Sequence, residues 1–128
     1  MSEVYLGNPN LKKANTPIQF TEEQIIEFLK CKEDPVYFAN NYIKIVSLDE
    51  GLTQFHPYDF QEKLITNFHE NRFNICKMPR QTGKSTTVVS YLLHYAVFND
   101  SVNIGILANK AATARELLQR LQTAYENL

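Results

Sequence analysis

The order of elements from residue 73 onward predicts an α/β fold, with parallel strands in a sheet and helices flanking it. Three observations carry this. Phe73-Asn74-Ile75-Cys76-Lys77-Met78 is short and apolar-rich, as a strand is, and a polar loop follows Pro79. The stretch Thr86–Phe98 is apolar on most sides, as expected of a helix buried beside a sheet. Val102–Ala108 repeats the strand pattern, and an amphipathic stretch follows it.

The earlier elements follow from local signals. Residues 1–20 hold Gly7-Asn8-Pro9-Asn10 and Thr16-Pro17 with little periodicity, which predicts an extended or mobile arm. Thr21-Glu22-Glu23-Gln24 is a capping-box pattern. Ile25, Ile26, Phe28 and Leu29 follow it, so a helix should run to about Lys32, either as a docking element or, as such spacing usually means, packed on the sheet. Asp34-Pro35 opens a second short helix through Asn41, anchored by Tyr37 and Phe38. Ile43-Lys44-Ile45-Val46 predicts a strand, Asp49-Glu50-Gly51 a turn, and Leu52-Thr53-Gln54-Phe55 the return of a hairpin. Pro57 suits a first helical turn, and Phe60, Leu64, Ile65 and Phe68 mark one face of a helix ending near Asn71. Asn109 is placed to cap the last helix, with Ala114, Leu117, Leu118 and Leu121 as its inner stripe.

Composition narrows the function classes. The chain has 128 residues, 44% apolar and 21% charged, which suits one ordered domain and excludes disorder throughout. No apolar run approaches the ~20 residues that cross a bilayer. The start Met1-Ser2-Glu3-Val4-Tyr5 has neither the basic residues nor the apolar run of a secretory signal. Cys31 and Cys76 stand 45 positions apart, without the pairing of a disulfide framework or a metal knuckle. His56, His69 and His94 lack metal-ligand spacing.

The net charge of −1 argues against a protein that coats nucleic acid by charge alone. The charge is nevertheless divided. Residues 1–71 hold 6 Lys/Arg against 11 Asp/Glu, and residues 72–128 hold 7 against 3. Arg72, Lys77, Arg80 and Lys84 stand in a stretch to Asn99 with no acid, either a local field suited to a polyanionic ligand or a chance cluster on a solvated face.

The chemistry sits in Met78-Pro79-Arg80-Gln81-Thr82-Gly83-Lys84-Ser85-Thr86. Gly83-Lys84-Ser85 follows a predicted strand and opens a predicted helix, the setting of a phosphate-binding loop. Backbone N–H groups of such a loop, from Gln81 and Thr82 through Thr86, point at phosphate. Gly83 lets the backbone come close because it has no Cβ. Lys84 supplies a point charge to β- and γ-phosphates, and the Ser85 hydroxyl can ligate the Mg²⁺ that bridges them. The first Gly of the general G-x-x-x-x-G-K-[ST] pattern is absent, because Met78 holds its place. Arg80 is positioned either as an arginine finger in cis or in a salt bridge on the loop's outside. Upstream, Pro57-Tyr58-Asp59-Phe60-Gln61 offers an amide able to pair with an adenine edge and a Tyr58 ring able to stack, unless both are simply solvated.

Together, Pro57-Tyr58-x-x-Gln61 and Arg80-Gln81-x-Gly83-Lys84-Ser85-Thr86 resemble the large terminase subunit of tailed bacteriophages, particularly the T-even-like group. That family's loop has the form x-R-Q-x-G-K-[ST], which accommodates Met78. Tyr42-Ile43-Lys44-Ile45 and Ile104-Gly105-Ile106-Leu107-Ala108-Asn109-Lys110 fit the same pattern, so the resemblance runs from about Pro35 onward. It implies a homo-oligomeric motor in the cytoplasm of an infected bacterium, no membrane, and ATP hydrolysis driving double-stranded DNA through the portal protein beside a small terminase subunit. It implies that Gln61 reads adenine with Tyr58 beside it, that Lys84 and Ser85 hold phosphates and Mg²⁺, and that Arg80 is the cis finger. Residues 1–56 would then lead into the ATPase domain, and residues 57–128 would be the N-terminal part of that P-loop domain.

Such an ATPase also needs an apolar strand ending in Asp-Glu after the loop, where the acids order Mg²⁺ and activate water. None follows residue 86. Asp49-Glu50 has the composition but precedes the loop, and Gly51 marks it as a hairpin turn. The expectation is an N-terminal fragment of a longer protein whose sheet is incomplete, binding ATP weakly and inactive alone. Two other readings remain, a non-catalytic P-loop interaction fragment and part of a helicase-like DNA-dependent ATPase.

Overall fold

The computed structural model describes residues 4–128, apart from the side chain of Asn10. Residues 1–3 of the predicted arm lie outside the described residues. The rest of the arm opens with a hairpin rather than a featureless segment. β1 (Val4–Tyr5) pairs antiparallel with β2 (Asn8–Lys12). Leu6 and Gly7, at φ 49° and 76°, form a two-residue turn with both centres left-handed, the geometry whose twist matches paired strands.

α1 (Glu22–Glu33) begins where the capping box places it. Thr21 Oγ1 accepts from the Gln24 N–H at 3.2 Å, and Gln24 Oε1 accepts from the Thr21 N–H at 3.0 Å. Asp34 both ends this helix and starts the next. Its N–H donates to the Lys30 carbonyl, while its Oδ1 accepts from the N–H groups of Val36 and Tyr37, each at 3.0 Å. α2 (Pro35–Tyr42) follows with Pro35 in its first turn, where a missing N–H costs nothing. The α1 face does not pack on a sheet as expected. Ile25, Ile26, Phe28 and Leu29 stay about half exposed, and Cys31 is the buried residue of the helix. Phe28 instead meets Phe98, ring centroids 5.1 Å apart.

The second hairpin forms where the sequence places it. β3 (Lys44–Ser47) pairs antiparallel with β4 (Gly51–Gln54), from Lys44 opposite Gln54 to Ser47 opposite Gly51. Gly51 sits at φ 72° at the turn. Asp49 and Glu50 are exposed in that turn.

Three helices complete the chain: α3 (Asp59–Glu70), α4 (Lys84–Phe98) and α5 (Ala111–Glu126). α3 starts after Tyr58 rather than at Pro57, and α5 starts after Lys110 rather than Asn109, without a side-chain cap. Ala114, Leu117 and Leu121 of the expected α5 stripe are half-buried, Leu118 is exposed, and Ala124 takes the buried position.

The predicted parallel sheet is the main correction. Among the described residues the strands form two antiparallel pairs, and neither 73–78 nor 102–108 joins a ladder. Phe73, Ile75 and Leu107 are 82%, 100% and 98% exposed, while Met78, Val102 and Ile106 are half-buried, so these segments are covered only in part. α4 packs on α2, α3 and α5 instead. The physical difference is closure. Ser47 and Gly51 pair across three residues, whereas 73–78 and 102–108 are separated by a whole helix and need covered faces to stay paired. The α/β class therefore holds only as a mixture of helices and small antiparallel hairpins.

One core joins the two halves of the chain. Cys31, Phe38, Ala39, Ile43 and Phe55 meet Ile65, Leu93 and Ala124. Two polar devices accompany it. Tyr37 and Tyr42 both donate their hydroxyls to Glu27 Oε1, at 2.7 and 2.8 Å. Those bonds hold the Glu27 carboxyl below its ordinary range and push the Tyr42 phenol up to about 12. His94 is buried beside Phe38 and Phe98, with Nε2 2.8 Å from the Cys31 carbonyl. A carbonyl only accepts, so Nε2 carries the proton in the neutral ring.

Burial pushes the His94 pKa down from 6.5. The unfolded chain therefore binds that proton more readily, and stability should rise with pH across the window just below 6.5. Thermal melts should show the midpoint falling as pH drops from about 7.5 to 5.5, where carboxylates stay largely ionised. His94→Gln should flatten that slope, and equal slopes would contradict the assignment.

Candidate functional site: the loop between Met78 and Thr87

Pro79 removes one donor and the chain then turns through Arg80 and Gln81. Gln81 lies at φ 61° and Gly83 at φ 75°, so the loop makes two left-handed steps within three residues. Thr82 Oγ1 ties the turn by donating to the Pro79 carbonyl at 2.9 Å. Gly83 is the N-cap of α4 and offers no side-chain acceptor. The first bond of the helix runs from the Thr87 N–H to the Gly83 carbonyl at 3.0 Å. The N–H groups of Lys84, Ser85 and Thr86 precede that bond and have no acceptor within the helix. No acid stands in the first turn of this 15-residue helix, so its positive end is not neutralised locally.

Lys84 is half-buried and folds back over the loop. Its Nζ donates to the Met78 carbonyl at 2.8 Å. The ammonium thus spans the loop from its helix end to its entry and faces its own backbone. Ser85 is exposed on the first turn, and Arg80 and Gln81 are exposed on the loop. Arg80 makes no ion pair among the described residues.

Gln61 is the residue that joins the two predicted motifs. It is 3% exposed at the third position of α3. Its Oε1 accepts from the Tyr58 N–H at 2.9 Å. Its Nε2 donates to Thr87 Oγ1 at 3.0 Å and to the Gly83 carbonyl at 3.3 Å. Thr87, fully buried, donates its own hydroxyl to the same carbonyl at 2.8 Å. Gly83 is packed against this amide so closely that a Cβ there would stand 2.5 Å from Nε2.

The structure therefore brings Gln61, Gly83, Lys84 and Thr87 together and leaves Arg80, Gln81 and Ser85 at the solvent edge. Tyr58 is 70% exposed, its ring stacked on Phe60 at 5.9 Å, and its backbone joins the network. Thr86 faces the groove between β3 and α5. Sequence reasoning did not single out Thr87. Its signal is its position four residues after Gly83, where a Thr hydroxyl reaches back to the carbonyl of the preceding turn. No family model matches the chain.

Gly83→Ala combines a left-handed φ, worth about 1–2 kcal/mol for a residue with a Cβ, with displacement of the Gln61 amide. Urea unfolding should show at least that loss. Gly105→Ala, where a Cβ meets open space, should change stability little. Equal effects of the two substitutions would contradict this geometry.

Proposed function

We propose that this chain binds ATP with Mg²⁺ through the loop 79–86, as the nucleotide-binding part of a viral DNA-packaging motor of the large terminase type. The observation that carries the reading is the Gly83-Lys84-Ser85-Thr86 turn. It opens a long helix with free N–H groups, and a lysine ammonium already rests on a backbone oxygen of the same loop. A phosphate oxygen arriving at the loop offers that ammonium a charged acceptor in place of a neutral carbonyl, a stronger bond. The positive stretch Arg72–Lys84 adds a field of the right sign.

Ser85 supplies a hydroxyl oxygen for Mg²⁺. This fits an ion that keeps most of its shell as water and phosphate oxygen and takes few protein ligands. Bound there, the ion would neutralise charge on the β- and γ-phosphates. Arg80 is exposed and free of an ion pair among the described residues, which supports its reading as a finger in cis toward the γ-phosphate. In the complete motor the partners are double-stranded DNA, the portal protein, the small terminase subunit and further copies of this subunit, in the host cytoplasm. No helix of the described residues is long and apolar enough to cross a membrane.

One observation favours a second reading. After residue 86 the acids are Asp100, Glu116 and Glu126, none adjacent to another. Glu116 is engaged with Arg120 at 2.7 Å. This chain therefore lacks a pair to activate water behind the loop, and by itself acts as a nucleotide-binding module.

Calorimetric titration of Mg-ATP into the 128-residue chain and its Lys84→Ala variant tests the proposal. Losing a charge-assisted phosphate bond should weaken binding by ~1.5–3 kcal/mol, or ~10- to 150-fold. Phosphate release by the wild-type chain should stay at the uncatalysed level. Equal binding by wild type and variant would refute the phosphate role of Lys84, and turnover typical of a motor ATPase would refute the module.

A further inference from the structure

We infer that Thr87 is a positioning residue for the phosphate loop, its hydroxyl fixing the Gly83 peptide and tying it to the Gln61 amide of α3. The inference rests on the phosphate-loop reading above and deepens it.

Thr87 is fully buried near the start of α4, so it acts through other groups rather than on a ligand. A hydroxyl has one donor and two acceptor sites. Thr87 donates to the Gly83 carbonyl at 2.8 Å, which leaves its oxygen to accept from Gln61 Nε2 at 3.0 Å. The Gly83 carbonyl also lies 3.3 Å from the same Nε2. The two acceptors are neighbours, so one N–H of the amide points between them. The second N–H and the second lone pair of the amide oxygen take no part in this tie. Base reading by Gln61 is therefore compatible with it.

Reaching back to the carbonyl four residues earlier is ordinary for a helical threonine. Thr66 and Thr123 do so at 2.9 and 3.0 Å, and there the bond stays within one helix. Two things differ at Thr87. The carbonyl belongs to the left-handed Gly83, at φ 75°, where the loop ends and the helix begins. The hydroxyl also accepts from a residue 26 positions upstream on another helix. The Gly83 carbonyl and the Lys84 N–H are the two ends of one peptide plane. The Thr87 N–H, at 3.0 Å, and its hydroxyl hold that carbonyl from the helix side. They thereby set where the Lys84 N–H points, the first of the helix donors offered to phosphate.

The test is calorimetric titration of Mg-tripolyphosphate and Mg-ATP into the wild-type chain, Thr87→Val, Thr87→Ser and Ile65→Val. Thr87→Val keeps the shape and removes the hydroxyl, and Thr87→Ser restores it. Ile65→Val trims a fully buried core side chain of α3 that makes none of these bonds. Urea unfolding records the stability each variant loses. Thr87→Val should weaken both ligands about tenfold, and Thr87→Ser should stay within about threefold of wild type. Ile65→Val should bind as wild type does. Thr87→Ala, which removes the same hydroxyl, takes the place of Thr87→Val if that variant does not unfold cooperatively. Wild-type affinity without the hydroxyl would overturn the inference and leave the phosphate loop standing. An equal loss of affinity in Ile65→Val would do the same, since the effect would then be one of general stability. Wild type binding neither ligand would overturn the phosphate-loop reading itself, and this inference with it.

Discussion

The amide of Gln61 is the constraint on which the described site depends. It is buried where a polar group without partners would cost on the order of 1–3 kcal/mol. All three of its bonds are made within two short segments: Tyr58 on one side, Gly83 and Thr87 on the other. The bond to Tyr58 supplies half of a capping box for α3, so one side chain both starts that helix and fixes the start of α4. The loop from Pro79 to Gly83 hangs from this junction, closed by Thr82 at one turn and by Lys84 across its width.

Packing around the junction is helical. Leu93 and His94 of α4 meet Phe38 of α2 and Ile65 of α3, and Ala124 of α5 closes the other side. The hairpin of β3 and β4 joins this core through its flanks, Ile43 and Phe55, which bond to each other through the Phe55 N–H and the Ile43 carbonyl at 2.8 Å. The parts of the loop that would meet a ligand, Arg80 and Ser85, stand outside that core. A rigid frame with an exposed polar edge is the arrangement expected where binding residues sit on a loop held by scaffold elements.

Much of this was legible in the sequence because its signals are local. Thr21 with Gln24 and Asp34 with Pro35 mark helix starts by hydrogen bonds that reach three residues. Gly51 marks a turn that needs φ above zero. Gly83 at the head of α4 follows from the Gly-Lys-Ser motif, and the structure supplies its left-handed conformation. The failures are non-local. Composition at 73–78 and 102–108 is strand-like, but pairing depends on what lies alongside, and Ile75 and Leu107 stand in solvent. The α1 stripe failed likewise, since its periodicity does not say which surface will receive it. Gln61 was legible as a site residue from its motif, but its burial was not, because a glutamine on an amphipathic helix is usually solvated. Its place three residues after Tyr58, as a capping partner, was the available sign.

The central claim is that residues 79–86 form a phosphate loop held by Gln61. Backbone amide resonances of the ¹⁵N-labelled chain, followed during addition of Mg-tripolyphosphate, locate the ligand residue by residue. The account predicts that the largest shifts fall on Gly83, Lys84, Ser85 and Thr86. Shifts centred elsewhere, for example on the groove lined by Ile45, Thr123 and Ala124, with the loop amides unmoved, would contradict it.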